Sequence, residues 1–178
     1  MKQYHLHNFI SASKIQKKVK ILAHRISADY RRKNLLLIGV LNGAFIFMSD
    51  LVRYLDIPVQ MDFIKISSYG PNVVSSGKIK ALLNITQSIK GKDVLIIEDI
   101  IDTGLTINHI RQTLLNKKPR SIRVCTLLDK TNRRKVSVRI DYCGFKIPDR
   151  FVVGYGMDFN ESYRFLPDIH YLKQEYCQ

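Results

Sequence analysis

The segment VLIIEDIIDTGLTI, residues 94–107, begins as an unbroken apolar run and ends in three carboxylates followed by a Thr-Gly-x-Thr sequence. A short continuous apolar run fits a strand covered on both faces by helices. The residues that follow, TINHIRQTLLNKK, have helical character and stop before Pro119. A strand, a tight loop and a helix are therefore expected in succession, with the carboxylates where the strand ends.

The rest of the chain repeats this pattern. LLLIGVL, residues 35–41, is a second buried strand, broken by Asn42-Gly43 and followed by a helix in AFIFMSDLVRYL. VQMDFIKISSY, SIRVCTLLD and part of FVVGYGMDF read as further strands, and KALLNI as a short one. Upstream, Ile15, Val19, Leu22 and Ile26 recur at helical spacing, and Ser13 with Gln16 suggests a capping box. GPNVVSSGK, residues 70–78, has loop composition. Strands alternating with helices predict an α/β domain with a mostly parallel central sheet flanked by helices. Ligands of such sheets bind beyond the carboxyl ends of the strands. That places the site at Asn42-Gly43, residues 99–105, Lys130 onward and Asp158 onward.

A length of 178 residues, 46% hydrophobic and 25% charged, suits one globular domain. No apolar run reaches the roughly 18 residues of a membrane span, and the N-terminus lacks the pattern of a signal peptide, so a cytoplasmic protein is expected. The three cysteines, Cys125, Cys143 and Cys177, form no CxxC pair, which argues against a zinc site or a disulfide framework. His5 and His7 could share a strand face, but without cysteine partners they do not suggest a metal site. The net charge of +14 is spread over separate groups, Arg133, Arg134 and Lys135 among them. It reads as a solvated surface, with nucleic-acid binding non-specific at most.

The loop at residues 102–106 carries distinct chemistry. Gly104 permits a tight turn and close approach of a ligand. The helix behind it presents unpaired N–H groups and a partial positive charge. With the hydroxyls of Thr103 and Thr106 these form a cradle for one phosphate. The GxxxxGK[ST] loop of nucleoside triphosphatases is absent. Glu98 and Asp99 would repel a phosphate; they suit sugar hydroxyls, or a magnesium ion held with the sugar. A ribose 5-phosphate offers both features.

VLIIEDIIDTGLT resembles the phosphoribosyl pyrophosphate motif of type I phosphoribosyltransferases: apolar residues, two acids, two apolar residues, then Asp-Thr/Ser-Gly-x-Thr. LNGAFIFMSDL is similar to the pyrophosphate loop of the hypoxanthine-guanine branch, ISSYG to the start of its flexible loop, and LLDK with GFKIPDRFVVGYGMDFNESYRFLPDI to its purine-binding hood. The resemblance spans roughly residues 30–172. It implies one domain over residues 1–178, with a hood subdomain formed mainly by about 130–178 and part of the N-terminus.

The resemblance also implies roles. Glu98 and Asp99 would engage the ribose hydroxyls and, with Asp158, Mg2+. Asp102, Thr103, Gly104, Leu105 and Thr106 would hold the 5-phosphate, and Asp102 would serve catalysis at purine N7. Lys130 would donate to the 6-oxo group, with Phe151 stacking on the base, the Val152 backbone at its edge and Asp158 nearby. Asn42, Gly43 and Arg164 would bind pyrophosphate, and Ser68 and Tyr69 would close over the site. Asn42 stands where many members of the family carry lysine. The activity implied is purine salvage: transfer of phosphoribose from phosphoribosyl pyrophosphate to N9 of hypoxanthine or guanine, in a homodimer or homotetramer. An RNA-binding regulator on the same fold, or a xanthine-preferring enzyme, are the alternatives.

Overall fold

The computed structural model describes residues 2–66, 81–82 and 85–176; Ser68, Tyr69 and the loop expected at residues 70–78 lie outside them. The chain runs β1 (Lys2–Ile10), α1 (Ala12–Tyr30), β2 (Leu35–Leu41), α2 (Phe45–Arg53), β3 (Gln60–Ile66), β4 (Ala81–Leu82), β5 (Asp93–Ile101), α3 (Leu105–Leu115), β6 (Ser121–Asp129), β7 (Tyr142–Lys146), β8 (Val152–Val153) and β9 (Ile169–Tyr176). The expected α/β architecture is present. The main sheet has the order β4-β3-β2-β5-β6-β7. Strands β3, β2, β5, β6 and β7 are parallel, and only β4 runs against its neighbour.

Both faces of this sheet are covered, which explains the uninterrupted apolar runs of β2 and β5. Leu37, Leu95, Ile97 and Leu127 pack with α1 and α2. Leu36, Ile38, Val94 and Ile96 pack with Ile107, Ile110 and Leu114 of α3. The alternation of side chains along each strand divides consecutive residues between these two cores.

Helix α1 buries Ile15, Val19, Leu22, Ala23, Ile26 and Tyr30 along one stripe. Its start departs from the sequence expectation. The helix begins at Ala12, and no side chain of the Ser13–Gln16 pair caps it. Instead Asp168 Oδ1, far along the chain, accepts the Ala12 N–H at 2.6 Å. A carboxylate is the stronger partner for the positive end of a helix. Gln16 is turned elsewhere, donating to Asp50 Oδ2 at 2.6 Å. The Tyr155 hydroxyl donates to the same oxygen at 2.6 Å, so Asp50 ties α1, α2 and the turn after β8 together.

Strands β1, β9 and β8 form a separate antiparallel sheet. Lys2 pairs with Tyr176 at one end, and Val152 and Val153 pair with Tyr171 and His170 at the other. His7 stacks on Tyr171 with ring centroids 5.0 Å apart. Among the described residues no helix is long and apolar enough to cross a membrane.

Candidate active site

Strand β2 leads outward to β3, whereas β5 leads the other way to β6. The chain reverses direction across the sheet between β2 and β5, and the loops at their carboxyl ends diverge to leave a crevice. Three segments meet there: Asn42-Gly43 after β2, the end of β5 from Glu98 with the turn to Gly104, and Lys130 after β6.

The first half of the crevice is a cavity of about 260 Å³ lined by Gly43, Glu98, Asp99 and the loop to Thr106. Gly104 adopts the left-handed conformation, φ 82°, that lets β5 turn directly into α3. Any side chain there would also press on Arg134 and Val138. The Thr103 hydroxyl accepts the Leu105 N–H at 3.4 Å, and the Thr103 carbonyl accepts the Lys135 N–H at 2.9 Å. The cradle is thereby fixed from both sides before any ligand contact. The peptide between Leu41 and Asn42 is cis, and Asn42 itself is exposed.

Glu98 is buried and Asp99 half-buried at the end of β5. Burial, then the neighbouring Asp99 charge, pushes the Glu98 carboxyl well above the usual carboxylate range. Two adjacent carboxylates whose charges repel suit a hard cation, which relieves that repulsion. Among the described residues no cluster of three or more His, Cys, Asp or Glu side chains could hold a metal alone. Magnesium commonly takes one or two carboxylates and completes its shell with substrate oxygens and water, so the pair fits a cation shared with a bound substrate.

The second half is a cavity of about 250 Å³, lined by Asp102, Lys130, Arg133, Phe151, Met157 and Asp158, among others. It adjoins the first, with Asp99, Ile100 and Asp102 on both walls. Lys130 is 5% exposed, and its ammonium lies 3.9 Å from Asp102 Oδ2. Asp102 Oδ1 is buried with no hydrogen-bond partner. Phe151 is 52% exposed on the cavity wall, braced edge-on by Phe159 at 5.5 Å between centroids. Val152 is held behind it by pairing with Tyr171.

Asp158 also lines this cavity, but both of its oxygens are engaged. Oδ1 pairs with Arg164 at 2.8 Å, and Oδ2 accepts the Glu161 N–H at 2.9 Å. A metal ion at Asp158 would have to draw it from these partners, whereas Glu98 and Asp99 face the first cavity directly. Arg164 is equally occupied: it donates to the Gly156 carbonyl at 2.8 Å and pairs with Glu161 at 3.2 Å. A pyrophosphate would have to draw it from these partners. The structure thus gathers Gly43, Glu98, Asp99, Asp102, Thr103, Gly104, Thr106, Lys130, Phe151, Val152 and Asp158 around one crevice; Asn42 and Leu105 flank its lining in sequence, Arg164 joins it through Asp158, and Ser68 and Tyr69 lie outside the described residues.

Two participants were not singled out from the sequence. Arg133, grouped there with the surface charges, enters the second cavity and approaches Asp102 Oδ2 at 3.3 Å. Its closeness to Lys130 in sequence was the available signal. Gly156 fits against the Gly43 carbonyl, which occupies the space its Cβ would need. That contact joins the turn after β8 to the loop after β2, and local sequence carries no sign of it.

Residues 8–160 match the phosphoribosyl transferase domain family. The chain is 48% identical to the hypoxanthine-guanine phosphoribosyltransferase of Bacillus subtilis over 164 residues, 92% of this chain and 91% of that protein. It is 47% identical to the enzyme of the same name from Dictyostelium discoideum over 165 residues, 90% and 92% of the two chains. The fold superposes with a TM-score of 0.89 on a crystal structure of a hypoxanthine-guanine phosphoribosyltransferase from Bacillus anthracis, at 42% identity, covering 96% of this chain and 99% of that one.

Proposed function

The chain belongs to the phosphoribosyl transferase family, and from that premise we propose that it transfers phosphoribose from phosphoribosyl pyrophosphate to N9 of a 6-oxopurine, hypoxanthine or guanine, as an enzyme of purine salvage. One observation carries this reading above the others. Asp102 stands on the wall between two adjoining cavities, one ending in a phosphate cradle and the other holding a buried lysine and an exposed phenylalanine face. A phosphorylated sugar and a flat base fit those two spaces, and their reacting atoms would meet beside Asp102.

The roles of individual residues follow from chemistry. The N–H groups at the start of α3 bind the 5-phosphate. Glu98 and Asp99 orient the ribose hydroxyls. As N9 of the base attacks C1 of the ribose, the C1–oxygen bond to pyrophosphate breaks and positive charge gathers on the ring. Asp102, acting at N7, holds or accepts the proton that the base gives up. The Lys130 ammonium donates to the 6-oxo oxygen and has no means of accepting from an exocyclic amine, which disfavours adenine. Phe151 covers the face of the base. Arg164 and the Gly43 backbone receive the departing pyrophosphate. We propose magnesium as cofactor: held at Glu98 and Asp99 with the ribose hydroxyls, it would offset the negative charge of the pyrophosphate.

We further propose a cytoplasmic homodimer or homotetramer. The half-exposed Phe45, Met61 and Phe63 on α2 and β3 support the self-association, and light scattering reads the mass directly. The activity itself is tested with phosphoribosyl pyrophosphate, magnesium and each purine in turn. Turnover of hypoxanthine and guanine is expected. Turnover of xanthine alone, or of no purine, overturns the assignment, and magnesium-independent turnover overturns the cofactor.

A further inference from the structure

Arg133 sits in the short 3-10 turn after β6, where its N–H donates to the Lys130 carbonyl at 3.2 Å. Its backbone is thereby fixed next to the residue that reads the base. The side chain is placed between two carboxylates. The same nitrogen, Nη1, lies 3.3 Å from Asp102 Oδ2 inside the crevice and 3.6 Å from Asp149 Oδ1 at its rim. Lys130 meets the same Asp102 oxygen from 3.9 Å.

The two cations differ in freedom. The Lys130 side chain is 7% exposed and held in place, whereas those of Arg133 and Asp149 are about half exposed, at 49% and 53%. A guanidinium in that setting changes partners at little desolvation cost, and either pair alone is weak. Arg133 also lines the cavity assigned to the purine. A base that engages Asp102 at N7 must share or displace this contact.

We infer that Arg133 is a positioning residue that competes with the purine for Asp102, and that Asp149 is the second seat that draws the guanidinium aside. The affinity for the base is then set by the balance between two carboxylates, only one of which touches substrate. Asp149 follows Ile147 and Pro148 in a turn closed by the Arg150 N–H on the Pro148 carbonyl at 2.8 Å, which holds the backbone that carries the second seat. This inference rests on the 6-oxopurine reading above and adds to it a residue that tunes the base site from outside.

Opposite signs are expected from the two partners. Initial-rate kinetics on the full chain should show that Arg133→Ala lowers KM for hypoxanthine, roughly 1.5- to fivefold, the range of an exposed pair. Asp149→Asn should raise it by a similar factor, because the guanidinium is left to Asp102. In the Arg133→Ala background Asp149→Asn should have no further effect on KM. Arg133→Lys, which retains a cation, should stay closer to the wild type than Arg133→Ala. KM for phosphoribosyl pyrophosphate should follow none of these changes. If Arg133→Ala raises KM for the base, or if the Asp149→Asn effect survives without Arg133, the competition does not exist. Should Arg133→Ala fail to fold, Asp149→Asn at the rim still decides by the sign of its effect. A wild-type chain inactive on hypoxanthine and guanine overturns the functional assignment; an active one with the wrong signs overturns only the role of Arg133.

Discussion

The Asp99 carboxylate fills the space that a Cβ would need at Gly43. The acid at the end of β5 and the turn at the end of β2 are thus in direct contact across the crevice. Behind Gly43, its carbonyl occupies the corresponding space at Gly156. A residue expected to bind pyrophosphate through its backbone is also the spacer that sets where Asp99 stands.

Gly43→Ala tests this arrangement. The added methyl must push the Asp99 carboxylate aside, since the backbone behind is blocked by Gly156. A displacement on the order of 1 Å in a catalytic constellation costs about 10²-fold. A loss of 10- to 100-fold in kcat/KM for phosphoribosyl pyrophosphate is expected, in a protein that still melts cooperatively. Unchanged kinetics would mean that the position of Asp99 is not critical.

Glu98 gives a pH dependence. Its folded-state proton affinity is raised by burial and by Asp99. Its contribution to stability is therefore full below the ordinary glutamate value of about 4.3 and is lost as pH rises from there through the raised value. Glu98→Gln should accordingly melt higher than the wild type at neutral pH, at roughly 2–4 °C per kcal/mol for a chain of this size. The gap should close in acid. Substrate binding should weaken in the same variant. Melting curves from pH 4 to 8 without ligand decide, and a gap independent of pH would show that Glu98 is ionised at no cost.

Asp102→Asn keeps the size of the side chain and removes its ability to take a proton. A fall in kcat of about 10²–10⁴-fold is expected, the scale of a lost general acid or base. Steady-state rates with hypoxanthine provide the check, and near-normal turnover would move the proton-transfer role elsewhere.

Lys130→Gln should erode discrimination between purines. An amide offers a donor and an acceptor, so the exocyclic amine of adenine no longer meets only donors. The ratio of kcat/KM for hypoxanthine to that for adenine should fall, and a constant ratio would place specificity in other residues.

The phosphate side of the crevice was legible because its determinants are contiguous. Strand β5 with its terminal acids, the turn at residues 102–104 and the start of α3 form one segment, so local spacing nearly fixes their geometry. The parallel sheet was legible for a related reason: runs such as LLLIGVL tolerate no solvent on either face. The short strand β7 and the pairing of β1 with β9 were not. KQYHLHNFI is polar and mixed, and its partner lies at the far end of the sequence. The cap of α1 failed for the same cause. Ser13 and Gln16 satisfy the local pattern, yet Asp168 supplies a charged acceptor that no local window contains. Arg133 looked like surface charge because its two carboxylate partners, Asp102 and Asp149, come from different loops.

The pairing of β1 with β9 bears on the order in which the protein can assemble as it is made. All five parallel strands have been synthesised once β7 is complete, so the cradle and its acids can form while the C-terminal region is still to come. Strand β1, which precedes all of these strands in the chain, has no partner until β9 follows it, and β8 depends on the same strand to hold Val152. Such long-range contacts form late in folding. The sugar half of the crevice should therefore mature before the purine half. Amide exchange on chains halted after residue 146 should show β2 and β5 protected and β1 open; early protection of β1 would show that its place is taken before β9 exists.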